Sequence, residues 1–357
     1  MFVVLAVPCT DSVARDHSFR ASCTMCCASC PEPTASNDWM RTQLDEFAAV
    51  YSRKPGGRQN AMGVNFLHGF GLWVLVRSLK AKGELQHIIE SGCYRGVGSW
   101  LLRQAAGSGV QMSFVSPETP DLYVDRAEDS KYYTGRDFVD FALIAWPPTI
   151  NRSATLVFID DHQAAPRRVQ EAAHHGFRHV AFDDNWLPNR GDCTSLKSVC
   201  SGRSGLTLST GNASATPLWQ DNIGLRRHFM QNSEVARLER LFDEAVEGYF
   251  ELPPVWHATD GRNHYSKWPR HSLEAASHVT EQAWAELTAP ALLSRHDAEA
   301  FCAKNGLSLN WEAHRYTHLA HARVREPKVN FVFRDRSPQA LRKWGRLPVK
   351  FRIREHD

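Results

Sequence analysis

Three short apolar runs in this chain each stop on a polar cluster, and that pattern constrains the fold more than any other feature. His87-Ile88-Ile89 runs into Glu90-Ser91-Gly92, Thr155–Ile159 into Asp160-Asp161-His162, and His179–Phe182 into Asp183-Asp184-Asn185. Apolar runs of this length read as fully buried strands. Helical stretches lie between them. Ser99–Ala106 follows the first run, and Val110–Val115 is a further strand. Pro166–His175 follows the second, with proline in its opening turn and Gly176 at its stop. Strands that alternate with helices imply a parallel sheet joined by right-handed crossovers. The predicted fold class is therefore α/β, a mostly parallel sheet with helices on both faces.

The rest of the chain arranges itself around that core. Residues 1–36 are rich in Cys, Ser, Thr and Pro without any period, and read as a disordered leader. Residues 37–185 hold two helices and then the sheet domain. The first helix is capped at Asn37-Asp38 and broken at Lys54-Pro55-Gly56-Gly57; the second, buried, spans Phe66–Leu79. Residues 186–265 are loop-rich around a helix near Glu234–Tyr249, and read as an insertion or lid. Residues 266–357 complete the fold, with helical pattern over 270–325 and strand-like runs at Val329–Phe333 and Val349–Ile353.

At 357 residues the chain is long enough to bury a core without staples. Its net charge of +3 gives no overall signal for nucleic acid. The segment from His321 to Asp357 is locally basic, with 11 Lys/Arg against 4 Asp/Glu, and reads as a solvated face. The longest apolar run, Phe66–Val76, is interrupted by His68 and is too short for a transmembrane span. The apolar opening lacks a basic n-region, which favours the cytoplasm over a secretory lumen. Nine cysteines include the run Cys23, Cys26, Cys27 and Cys30. Too little chain separates these four for a folded zinc knuckle, so an oxidisable or acylated tail is expected. Cys193 and Cys200 are close enough in sequence to bridge, and Asn151 and Asn212 begin glycosylation triplets.

Ligands of an open parallel sheet bind outside the carboxyl ends of its strands, so the polar clusters mark the mouth. Acidic pairs ending two neighbouring strands repel one another unless something neutralises them. A hard divalent cation such as Mg²⁺ takes carboxylate, amide and water oxygens, and Asp160, Asp161, Asp183, Asp184 and Asn185 offer that set. Helix capping by the same aspartates is the simpler alternative. The turn from Glu90 to Ser99 carries Gly92, Gly96 and Gly98 and opens a helix, where a carboxylate or other anion is favoured. Its spacing matches neither GxGxxG nor a P-loop. His174, His175 and His179 read as surface charge near a helix end, and His68 as a packed core histidine, with lining of a cofactor site as the alternative.

Glu90-Ser91-Gly92-Cys93-Tyr94-Arg95-Gly96 resembles the ExGxYxG turn of the class I S-adenosylmethionine-dependent methyltransferases. The closest likeness is to the metal-dependent small-molecule O-methyltransferases of the catechol, macrocin and cephalosporin-hydroxylase-like kinds. It covers about residues 60–190. The resemblance implies a Rossmann-like sheet, S-adenosylmethionine as cofactor, Mg²⁺ assistance and a small-molecule acceptor. It implies cofactor contacts at Glu90, Gly92, Tyr94, Gly96, Ser116, Glu118, Asp137 and Asp160, and metal ligands among Asp160, Asp161, Asp183, Asp184 and Asn185. Asp161-His162 matches an Asp-His of the catechol enzyme, which puts His162 beside the cofactor as the catalytic candidate. Two departures stand out. Ser116-Pro117 replaces the acidic residue that usually ends the second strand. Gln163-Ala164-Ala165 stands where the catechol-type enzyme has its lysine base. Two other readings stay open: a metal-dependent luminal glycosyltransferase using Asp160-Asp161-His162, and a non-catalytic binding protein on the same fold.

Overall fold

A computed structural model describes residues 36–57, 64–185, 193–197, 199, 220–223, 226–229, 237, 240, 242, 244–256, 291–309 and 318–325. The Cys23–Cys30 run, Cys200, Asn212 and the two strand-like runs after residue 325 lie outside these residues.

The elements follow in chain order. They are α1 (Asn37–Thr42), α2 (Leu44–Tyr51), α3 (Phe66–Ala81), β1 (His87–Ser91), α4 (Val97–Ala106), β2 (Gln111–Ser116), β3 (Ser130–Thr134), β4 (Thr155–Ile159), α5 (Ala165–His175), β5 (His179–Asn185), β6 (Gln220–Ile223), β7 (Arg226–Phe229), β8 (Val246–Glu251), α6 (Arg295–Asn305) and β9 (His318–Val324). β6 and β7 pair only with each other. The other seven strands form one sheet in the order β3-β2-β1-β4-β5-β9-β8. β1 pairs in parallel with β2 and β4, as do β2 with β3 and β4 with β5; β9 runs antiparallel to both β5 and β8. The fold is thus the mixed α/β sheet expected, closed by one antiparallel strand.

The first crossover leads from β1 to β2 and the last from β4 to β5, in opposite directions along the sheet. Right-handed crossovers then put α4 and α5 on opposite faces. Between β1 and β4 the strand order reverses, which makes the gap above them the switch point of the sheet. Every residue of β1 and β4 is buried, as strands covered on both faces require. α3 is buried almost all round because α4, α2 and β9 enclose it, and Gly71 leaves room for Leu319 of β9. Phe47 and Trp256 pack on Phe66 at the start of α3, with Phe66 and Trp256 stacked at 5.4 Å. No helix among the described residues is long and apolar enough to cross a membrane.

Three expectations need correction. The stretch read as a helix up to Tyr249 turns to strand at Val246, where β-branched and aromatic residues pair with β9. β8 is therefore an edge strand of the main sheet, although it falls within the segment read as an insertion. His318–Val324, read as helical, is β9; Leu319, Ala320, Ala322 and Val324 are fully buried because α3 and α5 both pack on the strand and its neighbours flank it. His175 and His179 are not surface charges. His179 is buried and stacks on His321 of β9, Nδ1 to Nε2 at 3.3 Å, and burial pushes His175 and His179 each down to about 4.

Candidate cofactor and metal site

Backbone hydrogen bonds tie the glycine bend after β1 to its neighbouring strands. The Gly92 N–H donates to the Val115 carbonyl of β2, and the Asp160 N–H donates to the Ser91 carbonyl, both at 2.8 Å. Gly92 has φ +101°, and a Cβ there would stand 2.0 Å from the Asp160 carbonyl oxygen. Only glycine allows the β1 and β4 turns to touch this closely. Gly96 has φ +90°, and a Cβ on it would meet the Tyr123 carbonyl at 2.0 Å. Between them Tyr94 takes φ 38°, which leaves its ring partly exposed beside the bend. Gly96 is the residue before α4, so no side chain caps that helix and its first amides face the bend. Such a terminus favours an anion.

Glu90 lies under the bend rather than in it. It is buried, it accepts a hydrogen bond from Ser99, and burial pushes its carboxyl up to about 8. Gly98 has no side chain because the Glu90 carboxylate fills that space, with Oε1 2.4 Å from where a Cβ would be. Ser116 is buried at the end of β2, and the Glu118 N–H donates to its hydroxyl at 3.4 Å. Glu118 is half-buried; Asp137 is exposed in a short 3-10 turn after β3. These three lie at the same end of the sheet as the bend, and the Ser116 side chain hydrogen-bonds Cys93 within it.

The two acidic tips do converge. One ligand atom each from Asp160, His162 and Asp184 lies within 4.8 Å of the others. His162 takes φ 55°, which carries its ring across the β4 tip until Nδ1 is 2.9 Å from Asp184 Oδ2. Burial, and then repulsion from Asp183 and Asp184, holds the Asp160 carboxyl well above the usual range. Burial and Asp184 likewise raise Asp183, against a lowering by His68. His68 Nδ1 is 3.6 Å from Asp183 Oδ1. His68 therefore belongs to the mouth and not merely to the core. Lining the site was the lesser of the two sequence readings of His68, because α3 precedes the sheet and only tertiary packing brings its first turn over β5.

The other two proposed metal ligands are turned elsewhere. Asp161 Oδ2 accepts from Ser91 Oγ at 2.6 Å and pairs with Arg168 Nη2 at 2.6 Å, while Oδ1 accepts from the Gln163 N–H at 3.3 Å. It fixes the β4 turn instead of facing the mouth. Arg168 also grips Asp140 with both guanidinium nitrogens at 3.0 Å and Glu171 at 2.6 Å. Burial works against its charge, but Asp140, Asp161 and Glu171 outweigh it and hold its pKa well above the usual value. Asn185 accepts from the Lys197 N–H at 2.9 Å and donates to Tyr249 Oη at 2.8 Å and Glu251 Oε1 at 3.2 Å. Lys197 completes that buried group with a 2.8 Å ion pair to Glu251. Magnesium takes near-octahedral oxygen. Asp160 and Asp184 remain as the carboxylate oxygens at the mouth, with Asp161 and Asn185 diverted, and an ion held there would complete its shell with water.

The site and fold together define the class: an open α/β sheet with a ligand mouth at its switch point, built from a glycine bend and two acidic strand tips. No protein-family model matches the sequence, and no curated protein matches it. Solved structures give distant likenesses. An O-methyltransferase from Bacillus cereus in complex with SAH is 12% identical, over 62% of this chain and 86% of that one, with a TM-score of 0.32. A cyclopropane-fatty-acyl-phospholipid synthase-like protein from Lactobacillus casei is 12% identical, over 80% and 99%, at 0.35. An SAH-bound methyltransferase from Podospora anserina is 13% identical, over 59% and 82%, at 0.27.

Proposed function

We propose that this chain is an S-adenosylmethionine-dependent methyltransferase that methylates an oxygen of a small-molecule acceptor. One observation carries the reading: the bend after β1 and the tip of β4 meet at the switch point, where Gly92 leaves no room for a side chain against Asp160. An uncapped helix end, an exposed aromatic and a group of carboxylates thereby share one mouth.

When bound, the cofactor supplies a methyl group on a cationic sulfur. The residues of the chain bind and orient. The first amides of α4 receive the methionine carboxylate, framed by Gly92, Tyr94 and Gly96. Ser116, Glu118 and Asp137 lie toward the ribose and adenine end. Asp160 faces the sulfonium side, where a positive sulfur would favour the charged form that burial opposes. His162, with a side chain 57% exposed, stands between Asp184 and the open side of the mouth, where the acceptor enters. The acceptor oxygen gains a bond to carbon as the carbon–sulfur bond breaks, and its proton leaves to solvent or to a base. Holding the two reactants in line contributes roughly 7–11 kcal/mol in well-oriented systems. A divalent cation at Asp160, Asp184 and His162 would draw the acceptor oxygen into place. Magnesium is the ion the resemblance implies for that role, and two carboxylates with water are a donor set it accepts.

Calorimetric titration with S-adenosylmethionine, with and without divalent cation, tests the reading. One equivalent bound in wild type and loss in Gly92→Val is the expected outcome. A flat trace under both conditions, or binding of a nucleotide sugar in its place, would overturn it.

A further inference from the structure

We propose that Arg168 is a positioning residue of this mouth: clamped on Asp161, it sets both the bend after β1 and the left-handed turn at His162. Its effect on cofactor affinity rests on the proposed function; the positioning itself does not.

One carboxylate joins the parts. Asp161 Oδ2 accepts from Ser91 Oγ at 2.6 Å and pairs with Arg168 Nη2 at 2.6 Å. Ser91 is the last residue of β1, and its carbonyl accepts from the Asp160 N–H. Side chain and backbone thus tie the same two strand tips, next to the close approach of Gly92 and the Asp160 carbonyl. The second oxygen, Asp161 Oδ1, accepts from the Gln163 N–H at 3.3 Å. That bond spans His162, whose φ of 55° is one that residues other than glycine seldom hold unless their surroundings impose it. Asp161 can impose it only while its own carboxylate is fixed, and the buried guanidinium of Arg168 fixes it.

Arg168 also holds a second wall. It grips Asp140 through both terminal nitrogens at 3.0 Å, and Asp140 Oδ1 caps the 3-10 turn Phe141–Leu143 by accepting from the Ala142 N–H at 3.0 Å. Asp137, proposed above for the nucleoside end of the cofactor, stands just before that turn. A guanidinium presents its donors in a rigid planar fork, so one side chain can fix two loops at once; an ammonium is a point charge and cannot. The remaining partner, Glu171 at 2.6 Å, is on the same helix as Arg168.

Hydrogen exchange of the full chain, read by mass spectrometry, tests the positioning without any ligand. Asp161→Ala leaves Arg168 with Asp140 and Glu171, so its buried charge keeps partners. It should speed exchange at the Gly92, Asp160 and Gln163 amides by about tenfold, the scale of one lost hydrogen bond. Asp161→Asn keeps an acceptor oxygen without the charge that Arg168 holds, and should behave as Asp161→Ala does. Ser91→Ala should loosen Gly92 and Asp160 and spare Gln163; it carries the test if Asp161→Ala fails to fold. Glu171→Gln takes a partner from the same arginine within its own helix, and should leave all three amides as in wild type. Titration with S-adenosylmethionine should show about tenfold weaker binding in Asp161→Ala and none of that loss in Glu171→Gln. Unchanged exchange in Asp161→Ala and Ser91→Ala, wild-type exchange in Asp161→Asn, or the same loosening in Glu171→Gln would each overturn the inference. Wild type that binds no S-adenosylmethionine but shows the exchange pattern removes only the methyl donor. Wild type that binds it, with no exchange difference between Asp161→Ala and Glu171→Gln, removes only the positioning role.

Discussion

His68 Nδ1, in the first turn of α3, stands 3.6 Å from Asp183 Oδ1 at the tip of β5. A residue from before the sheet thus offsets one of three carboxylates crowded at the mouth. Replacing His68 with Leu removes the neighbour that favours the charge of Asp183. We expect a loss of about 1–3 kcal/mol near neutral pH, in the range for a buried charged group that loses a partner. The loss should shrink in mild acid, where Asp183 takes up a proton. Urea unfolding at several pH values measures it, and a pH-independent cost would show that only packing was lost.

Gly92→Ala forces a side chain into φ +101° and against the Asp160 carbonyl. Backbone strain of about 1–3 kcal/mol adds to the separation of the β1 and β4 turns, so the total should exceed about 3 kcal/mol. Gly57→Ala has open space around its Cβ and is the control for strain alone. Similar melting temperatures for the two variants would refute the close approach.

Lys197 and Glu251 are buried with an ion pair between them. Lys197→Met leaves the Glu251 carboxylate buried without that partner, at an expected cost of about 3–5 kcal/mol. Lys197→Met with Glu251→Gln should recover much of the loss. Chemical denaturation of the single and double variants decides this; equal destabilisation by both would mean that the charge is not the cause.

His179 is held at about 4 by burial, and then by Arg323 and Arg178. The unfolded chain takes a proton on it below about 6.5, whereas the folded chain resists until about 4. Unfolding therefore binds protons in that window, and stability falls as pH falls through it. At pH 5 this one group accounts for about 2 kcal/mol. His321, pushed down by burial and then by His179, acts in the same direction. His179→Phe should flatten the acid limb of a stability–pH curve. An unchanged limb would show that other groups set the acid sensitivity.

Much of the fold was legible because local signals agreed with it. The runs ending at Ile159 and Phe182 are buried strands, Pro166 and Gly176 bracket α5, and the acidic tips lie at the strand ends where a parallel sheet puts its ligands. What failed to show depended on distant partners. Val246–Glu251 and His318–Val324 become strands only because they pair with each other and with β5, and nothing in either segment alone overrides a helical reading. The site was legible as a set of residue types and not as a geometry. Asp160 and Asp184 are brought together, while Asp161 and Asn185 are drawn off by Arg168 and by Lys197, Tyr249 and Glu251, none of which is near them in an obvious motif.

The position of β9 between β5 and β8 has a consequence for synthesis. β5 emerges early, but the strand that covers its free side arrives only at residues 318–324. Until then the nascent sheet shows an unpaired, largely apolar edge directly beside the acidic tips, the kind of edge that recruits other chains. A product stopped near residue 300 would carry every residue of the mouth and still be prone to aggregate.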